Sequence, residues 1–200
     1  MERHEVFGNP TGYVVPLVQA GTYHVRREVL PRAEAPEMAL LADCVKRFDV
    51  AGLQRLVMDL ACAAGEATTM LSELSALDQV EILQQFSAQH TVEMAFDGSL
   101  KPGDALWGYV PAMLRPFFAL DAKPSQAEVL FEIDRKYGFA ASMGFIVILA
   151  YYTSAVLCRA SHVLGRSIEE MIQLLEDRVK PAWAELDASD GHAYNTTPQR

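Results

Sequence analysis

Residues 137–158 read YGFAASMGFIVILAYYTSAVLC, 22 residues without a charged side chain or a histidine. At the centre, Phe145-Ile146-Val147-Ile148-Leu149 covers every face of a helix and leaves no polar stripe. A helix apolar all round is buried either inside a protein or inside a bilayer. The fold follows from which of the two applies.

As a single helix the stretch extends about 33 Å, enough for a bilayer core. Tyr137 and Tyr151-Tyr152 suit an interfacial position, and Arg135-Lys136 and Arg159 close the ends. Ala140 and Gly144 form a small-xxx-small spacing that permits close helix approach. Against a span, Ser142, Thr153, Ser154 and the tyrosine pair shorten the apolar centre to about ten residues. Positive residues at both ends give no orientation bias. One straight helix over residues 125–164 would reach roughly 60 Å, longer than a compact domain of this size is wide. A break is therefore expected near Gly138 or Gly144, since glycine weakens a helix interior.

Outward from this stretch, several segments carry one-sided apolar stripes that need a partner. Upstream, Ser125-x-x-Glu128 is a capping box opening a helix with Val129, Leu130, Ile133 and Tyr137 on one face. Downstream, amphipathicity continues through Val163 and Leu164 to Gly165, a C′ residue. Ser167-x-x-Glu170 then opens a last helix with Ile168, Met171, Ile172, Leu175, Val179 and Trp183 on one side, kinked or ended at Pro181. The polar tail from Asp187 is expected to be disordered.

Farther upstream, Pro36 fits a first helical turn, and Met38, Leu41, Val45 and Phe48 follow at helical spacing. Asp49 can cap the next helix, with its stripe of Leu53, Leu56, Val57, Leu60, Ala64 and Leu71. Ser75-x-x-Asp78 is read as a capping box for a helix through Leu77, Val80, Leu83 and Phe86 that stops by Asp97-Gly98. Residues 97–124 hold too many prolines and glycines for one helix, yet Leu106, Trp107, Tyr109, Met113, Leu114, Phe117 and Phe118 are too apolar for a solvated loop. Short helical turns wedged against a bundle, or a lip around a cleft, are expected there. At the N-terminus, Val14-Val15 and Leu17-Val18 lead through Ala20-Gly21-Thr22 to Tyr23-His24-Val25-Arg26. β-Branched residues around a glycine suggest a hairpin, with Pro16 confining the first arm to an edge.

The expected architecture is thus a mainly α helical bundle around a central apolar helix at about 137–158, with a small N-terminal β-hairpin. Residues 1–35 form hairpin and linker, 36–186 the bundle and 187–200 a disordered tail. The 200 residues are enough for one domain with a real core.

The net charge of −9 argues against duplex nucleic acid and anionic membrane surfaces as partners. Cys44, Cys62 and Cys158 are few, odd in number and set in apolar helical patterns, which fits free buried thiols in a reducing compartment. The opening MERHEVFGNPTGYVV contains no apolar run of signal-peptide kind, so no export is expected and a cytoplasmic location follows. The glycosylation pattern at Asn195 is then idle.

Candidate chemistry is sparse. His90 and Glu93 share a helical face at a spacing seen in metal sites, but no second such pair accompanies them. His24 beside Tyr23, Arg26 and Arg27 offers an anion contact or a plain solvated strand face. Ser161 and His162 are adjacent, and adjacent helical residues point apart. No phosphate loop, Cys/His metal spacing or nucleophile elbow occurs. No catalytic residue, metal or cofactor is assigned. A ligand pocket is expected between the central helix and residues 104–118 if Trp107, Tyr109, Arg115 and Tyr152 converge.

One layout is similar to a known family. A strand-like Tyr23–Val29, a linker, a helix at 50–71 and Leu74-Ser-Ala-Leu-Asp78 opening another helix resemble bacteriophage tail assembly chaperones, over residues 23–90. The resemblance implies an assembly-chaperone role. It extends to no site residue and leaves the apolar C-terminal half outside its pattern.

The function expected from the whole is that of a non-catalytic soluble helical protein, interacting or regulatory, with a protein partner or a second copy covering surplus apolar surface. A single-pass membrane protein spanning at 137–158 is the alternative, and a small ligand-binding protein a further one.

Overall fold

Among the described residues, regular structure is helical throughout. The computed structural model describes residues 8–27, 36–96, 102–118 and 124–190 and, within these, the side chains other than those of 26, 27, 88–96, 102–104 and 186–190. A 3-10 turn at Pro10–Tyr13 leads into α1 (Val14–Arg27), followed by α2 (Pro36–Leu74) and α3 (Gln79–Phe96). The short α4 (Pro102–Trp107) and α5 (Val110–Leu114), the latter running on as a 3-10 turn over Arg115–Phe118, are the wedged turns expected there. Finally come α6 (Gln126–Tyr137), α7 (Phe139–Leu164) and α8 (Ile168–Asp190).

No strand occurs among the described residues, so the expected β-hairpin is replaced by α1. Both signals for it have helical explanations. Pro16 sits in the first turn of α1, where its missing N–H lacks an intrahelical acceptor in any case. Gly21 is a contact residue: a Cβ there would lie 2.4 Å from Ser154 Oγ and 3.2 Å from the Ala150 carbonyl. Small size lets α1 seat directly on α7, and Ser154 Oγ lies 2.7 Å from the Val18 carbonyl across the same interface.

Capping boxes open three of the helices. Ser125 and Glu128 form the full reciprocal box at α6, and Ser167 with Glu170 does the same at α8. At α3 the box lies three residues later than expected, at Asp78 and Glu81. Asp78 Oδ1 accepts from the Glu81 amide at 2.8 Å, and Glu81 Oε2 accepts from the Asp78 amide at 2.9 Å. Ser75 instead accepts from the Leu77 amide, inside the preceding turn. Pro181 lies inside α8 without ending it, and the helix continues to Asp190, past the expected start of the tail. Residues 191–200 and 28–35 lie outside the described residues.

Two breaks shape the molecule. Asp49, at φ 57° and ψ −160°, interrupts α2 and re-aims its second half. Gly138, at φ 82° and ψ 171°, is the sole residue between α6 and α7. Gly144 stays helical, its Cβ position an ordinary 3.5 Å from Leu106 Cδ1.

The core is built on α7 and α2 together. Phe145, Ile146, Leu149, Ala150, Tyr152, Val156, Leu157 and Ala160 are buried on α7, chiefly against α2 and α1 and also against α4, α6 and α8. Each large apolar side chain so buried contributes about 1.5–3 kcal/mol. The stripe of α2 is buried as expected, and burial extends past it to the small residues Ala61, Ala63, Gly65 and Ala67. These small residues let neighbours approach closely, as where Phe117 packs over Gly65.

A buried ion pair sits on the same helix. The Arg55 Nε contacts both oxygens of Asp59, at 2.9 and 3.0 Å, and Thr11 donates to Asp59 Oδ2 at 2.7 Å. Arg55 also donates to the Trp183 carbonyl, and the Trp183 indole donates to the Asp59 carbonyl. Thus the N-terminal turn, α2 and α8 are tied at one point, where breaking one partner alone would strand a buried charge.

Candidate functional site: an apolar groove between α2, α6 and α7

Because α7 is covered unevenly, its first turns remain open while its later turns are enclosed. Phe139 and Ala140 are exposed and Ala141 to Gly144 half-buried, whereas burial is nearly continuous from Phe145 to Leu157. Gly138 turns the chain so that α6 flanks this open part, and the kink at Asp49 brings the second half of α2 to the other side. A groove of about 1050 Å³ results.

Its walls are apolar: Leu53, Val57 and Met58 from α2, Leu130 from α6 and Ile146 from α7. At its lip stand Phe131, 70% exposed, Val50, 52% exposed, and Phe139, 41% exposed. Exposed large hydrophobic side chains scattered singly are unremarkable, but three on one groove make a patch of the kind that marks interaction sites. The polar groups of the groove are few: Gln54, Glu128, Asp134, Ser142 and Arg55. Arg55 is already committed to Asp59, so the remaining charge is acidic. Glu128 is held below the usual carboxylate range by the Ser125 amide and hydroxyl, and carries its negative charge on the rim.

Trp107, Tyr109, Arg115 and Tyr152, named as a pocket from sequence, line neither this groove nor the cleft described below. Trp107 is buried, its ring edge-on to Tyr151 with centroids 5.9 Å apart. Tyr109 donates to Glu132 Oε1 at 3.0 Å and packs edge-on to Tyr137; burial and that carboxylate raise its hydroxyl pKa. Arg115 is exposed. Tyr152 is fully buried with its hydroxyl 2.9 Å from Thr68 Oγ1 and its ring against Phe86, and burial raises its pKa strongly.

The other candidates fare as follows. His24 is buried on α1, not on a solvated strand, with Nε2 2.8 Å from Glu37 Oε1. The contact lies off the hydrogen-bonding direction, so the two side chains approach closely without a formed hydrogen bond. The side chains of His90 and Glu93 lie outside the described ones. Ser161 donates to the Arg166 carbonyl at 2.6 Å, which turns its hydroxyl away from nucleophilic use. Among the described residues no group of three or more metal-ligating side chains occurs. Cys44 and Cys62 are free thiols, and burial pushes both up to about 11.

Sequence reasoning passed over Phe131 because the amphipathic face of α6 was read from Val129, Leu130, Ile133 and Tyr137. A phenylalanine opposite that stripe, on an otherwise polar face, was the available signal.

In comparison with known proteins, the chain matches no family model, no curated protein and no solved structure. The layout similar to phage tail assembly chaperones also loses its opening strand, since Tyr23 to Arg27 are helical.

Proposed function

We propose that this is a soluble, non-catalytic interaction protein that holds an amphipathic helix of a protein partner in the groove between α2, α6 and α7. The observation that carries the reading is the meeting of Phe131, Val50 and Phe139 on one apolar groove floored by the open start of the chain's most apolar helix. Helix-in-groove recognition uses such anchors, with i, i+3, i+4 and i+7 side chains of the guest filling the floor. Glu128 and Asp134 on the rim favour a guest with basic flanks, whereas a second copy of this acidic chain would bring like charge.

Two synthetic helical peptides with the same apolar face, one rimmed with lysine and one with glutamate, test this directly. The lysine-rimmed peptide should bind more tightly, and Phe131→Ser should weaken it roughly tenfold or more, as a central aromatic anchor does. Equal affinity of wild type and Phe131→Ser for that peptide would refute the groove. A dimer abolished by Phe131→Ser would assign it to a second copy.

One observation favours a membrane span instead. By length and composition Phe139–Leu164 can cross a bilayer, and 56% of its most apolar window is buried. On that reading the open start of α7 meets lipid, and the untagged protein would stay with membranes after a carbonate wash. Recovery in the aqueous fraction would remove it.

A further inference from the structure

The corner between α7 and α8 concentrates positive charge in an acidic protein. Arg159, His162 and Arg166 follow one another at intervals of three and four, so they run down one face of the last turns of α7 and onto its connection to α8. All three line one cleft of about 630 Å³, whose other walls include Val25, Cys158 and Ile168. Several other cations are matched by carboxylates: Arg47 by Asp43, Arg55 by Asp59, Arg178 by Glu66 and Glu73, Lys180 by Glu176 and Asp177. Among the described residues, Arg159, His162 and Arg166 face no carboxylate within ion-pair distance.

The helix dipole does not account for the cluster. Cations in the last turn complement a helix C-terminus, which suits His162, but Arg159 lies before that turn and Arg166 beyond the end of α7. The Ser161 carbonyl there already accepts from the Gly165 and Arg166 amides. Nor is the N-terminus of α8 the attraction, because Glu170 already takes the Ser167 amide. What is left is a set of side chains on a fixed frame. Gly165 in the left-handed conformation and the 2.6 Å bond from Ser161 Oγ to the Arg166 carbonyl hold the corner in place.

We propose that this cleft binds a phosphate group, with Arg159 and Arg166 as guanidinium donors and His162 as a third donor. One bidentate arginine satisfies a carboxylate, whereas two guanidinium forks and an imidazole offer more donors than its two oxygens need. A tetrahedral phosphate, with up to three terminal oxygens and a double charge, matches the set. Val25 and Ile168 give an apolar wall to whatever organic group the phosphate carries. A free phosphate compound and an anionic lipid headgroup share this chemistry.

Calorimetric titration of the full chain with inorganic phosphate at low ionic strength tests the site, alongside sedimentation with vesicles of phosphatidylcholine, with and without phosphatidic acid. Wild type should bind phosphate saturably, and Arg159→Gln and Arg166→Gln, both at exposed positions, should each weaken binding by roughly tenfold or more with unchanged thermal melts. Co-sedimentation only with the acidic vesicles, competed by phosphate, assigns the lipid source; phosphate binding without vesicle binding assigns the free one. No saturable response up to about 10 mM phosphate, or equal binding by both glutamine variants, overturns the proposal.

Discussion

At the scale of single residues, two glycines on the same apolar stretch make opposite demands. Gly138, at φ 82° and ψ 171°, occupies a region open essentially to glycine alone, with no atom within 4 Å of a prospective Cβ. Gly138→Ala should therefore lower stability by about 1–3 kcal/mol through the backbone alone, without a clash. Gly144 is an ordinary helical residue in ordinary contact, so Gly144→Ala should be neutral or stabilise by roughly 0.5–1 kcal/mol. Parallel thermal melts decide the pair, and equal shifts would mean that the break is misplaced. Asp43 gives a residue-level pH dependence. The Tyr13 hydroxyl, 2.5 Å away, and then the Arg47 guanidinium hold its carboxyl below the ordinary value. A carboxyl depressed in the folded state contributes stability that is complete above its unfolded pKa, about 4, and is lost as the pH falls through the folded value. Asp43→Asn should flatten the acid limb of the stability–pH curve below about pH 4 and leave the neutral-pH slope unchanged.

At the scale of elements, α1 shows where sequence patterns mislead. Its valines, proline and glycine give every local sign of a hairpin, and no periodicity within 14–27 records that Gly21 meets Ser154 on a helix more than a hundred residues later. Contacts between elements decide such cases. Gly21→Ala forces a Cβ to 2.4 Å from Ser154 Oγ and should cost about 1–3 kcal/mol, and adding Ser154→Ala should recover part of the loss. Additivity of the two changes in a double-mutant cycle would refute the contact. The capping boxes at Ser125 and Ser167 and the turn at Gly165 were legible because a few adjacent residues set them, whereas the break was legible only as Gly138 or Gly144. By contrast the register at α3 was not, since Ser75-x-x-Asp78 and Asp78-x-x-Glu81 are overlapping boxes and the better acid wins at Glu81. The groove was illegible for the reason that hid α1: Val50, Phe131 and Phe139 come from three elements and show no common period.

For the molecule as a whole, the central question is what covers α7. The later turns are enclosed by α1, α2 and α8, and the hydroxyls that would trouble lipid are satisfied within the protein, Thr153 donating to the Leu149 carbonyl and Ser154 Oγ lying 2.7 Å from the carbonyls of both Val18 and Ala150. If burial by neighbouring helices is what α7 requires, the response to a charge should follow depth in the bundle and not distance along the helix. Ile146, almost fully buried, and Ile148, half-buried, are only two residues apart and would sit at nearly the same depth in a bilayer. In the bundle, Ile146→Asp buries a carboxylate without a partner and should cost at least about 3–5 kcal/mol, enough to abolish cooperative melting in a protein of ordinary stability. Ile148→Asp, able to turn its carboxylate toward water, should lose less and still fold. In a bilayer both would be penalised alike, and neither would alter a melt measured without detergent. Chemical denaturation of the two variants in aqueous buffer separates the outcomes: a large gap between them is expected of the bundle, and equal stabilities would mean that the enclosure of α7 by its own chain is not what holds this protein together.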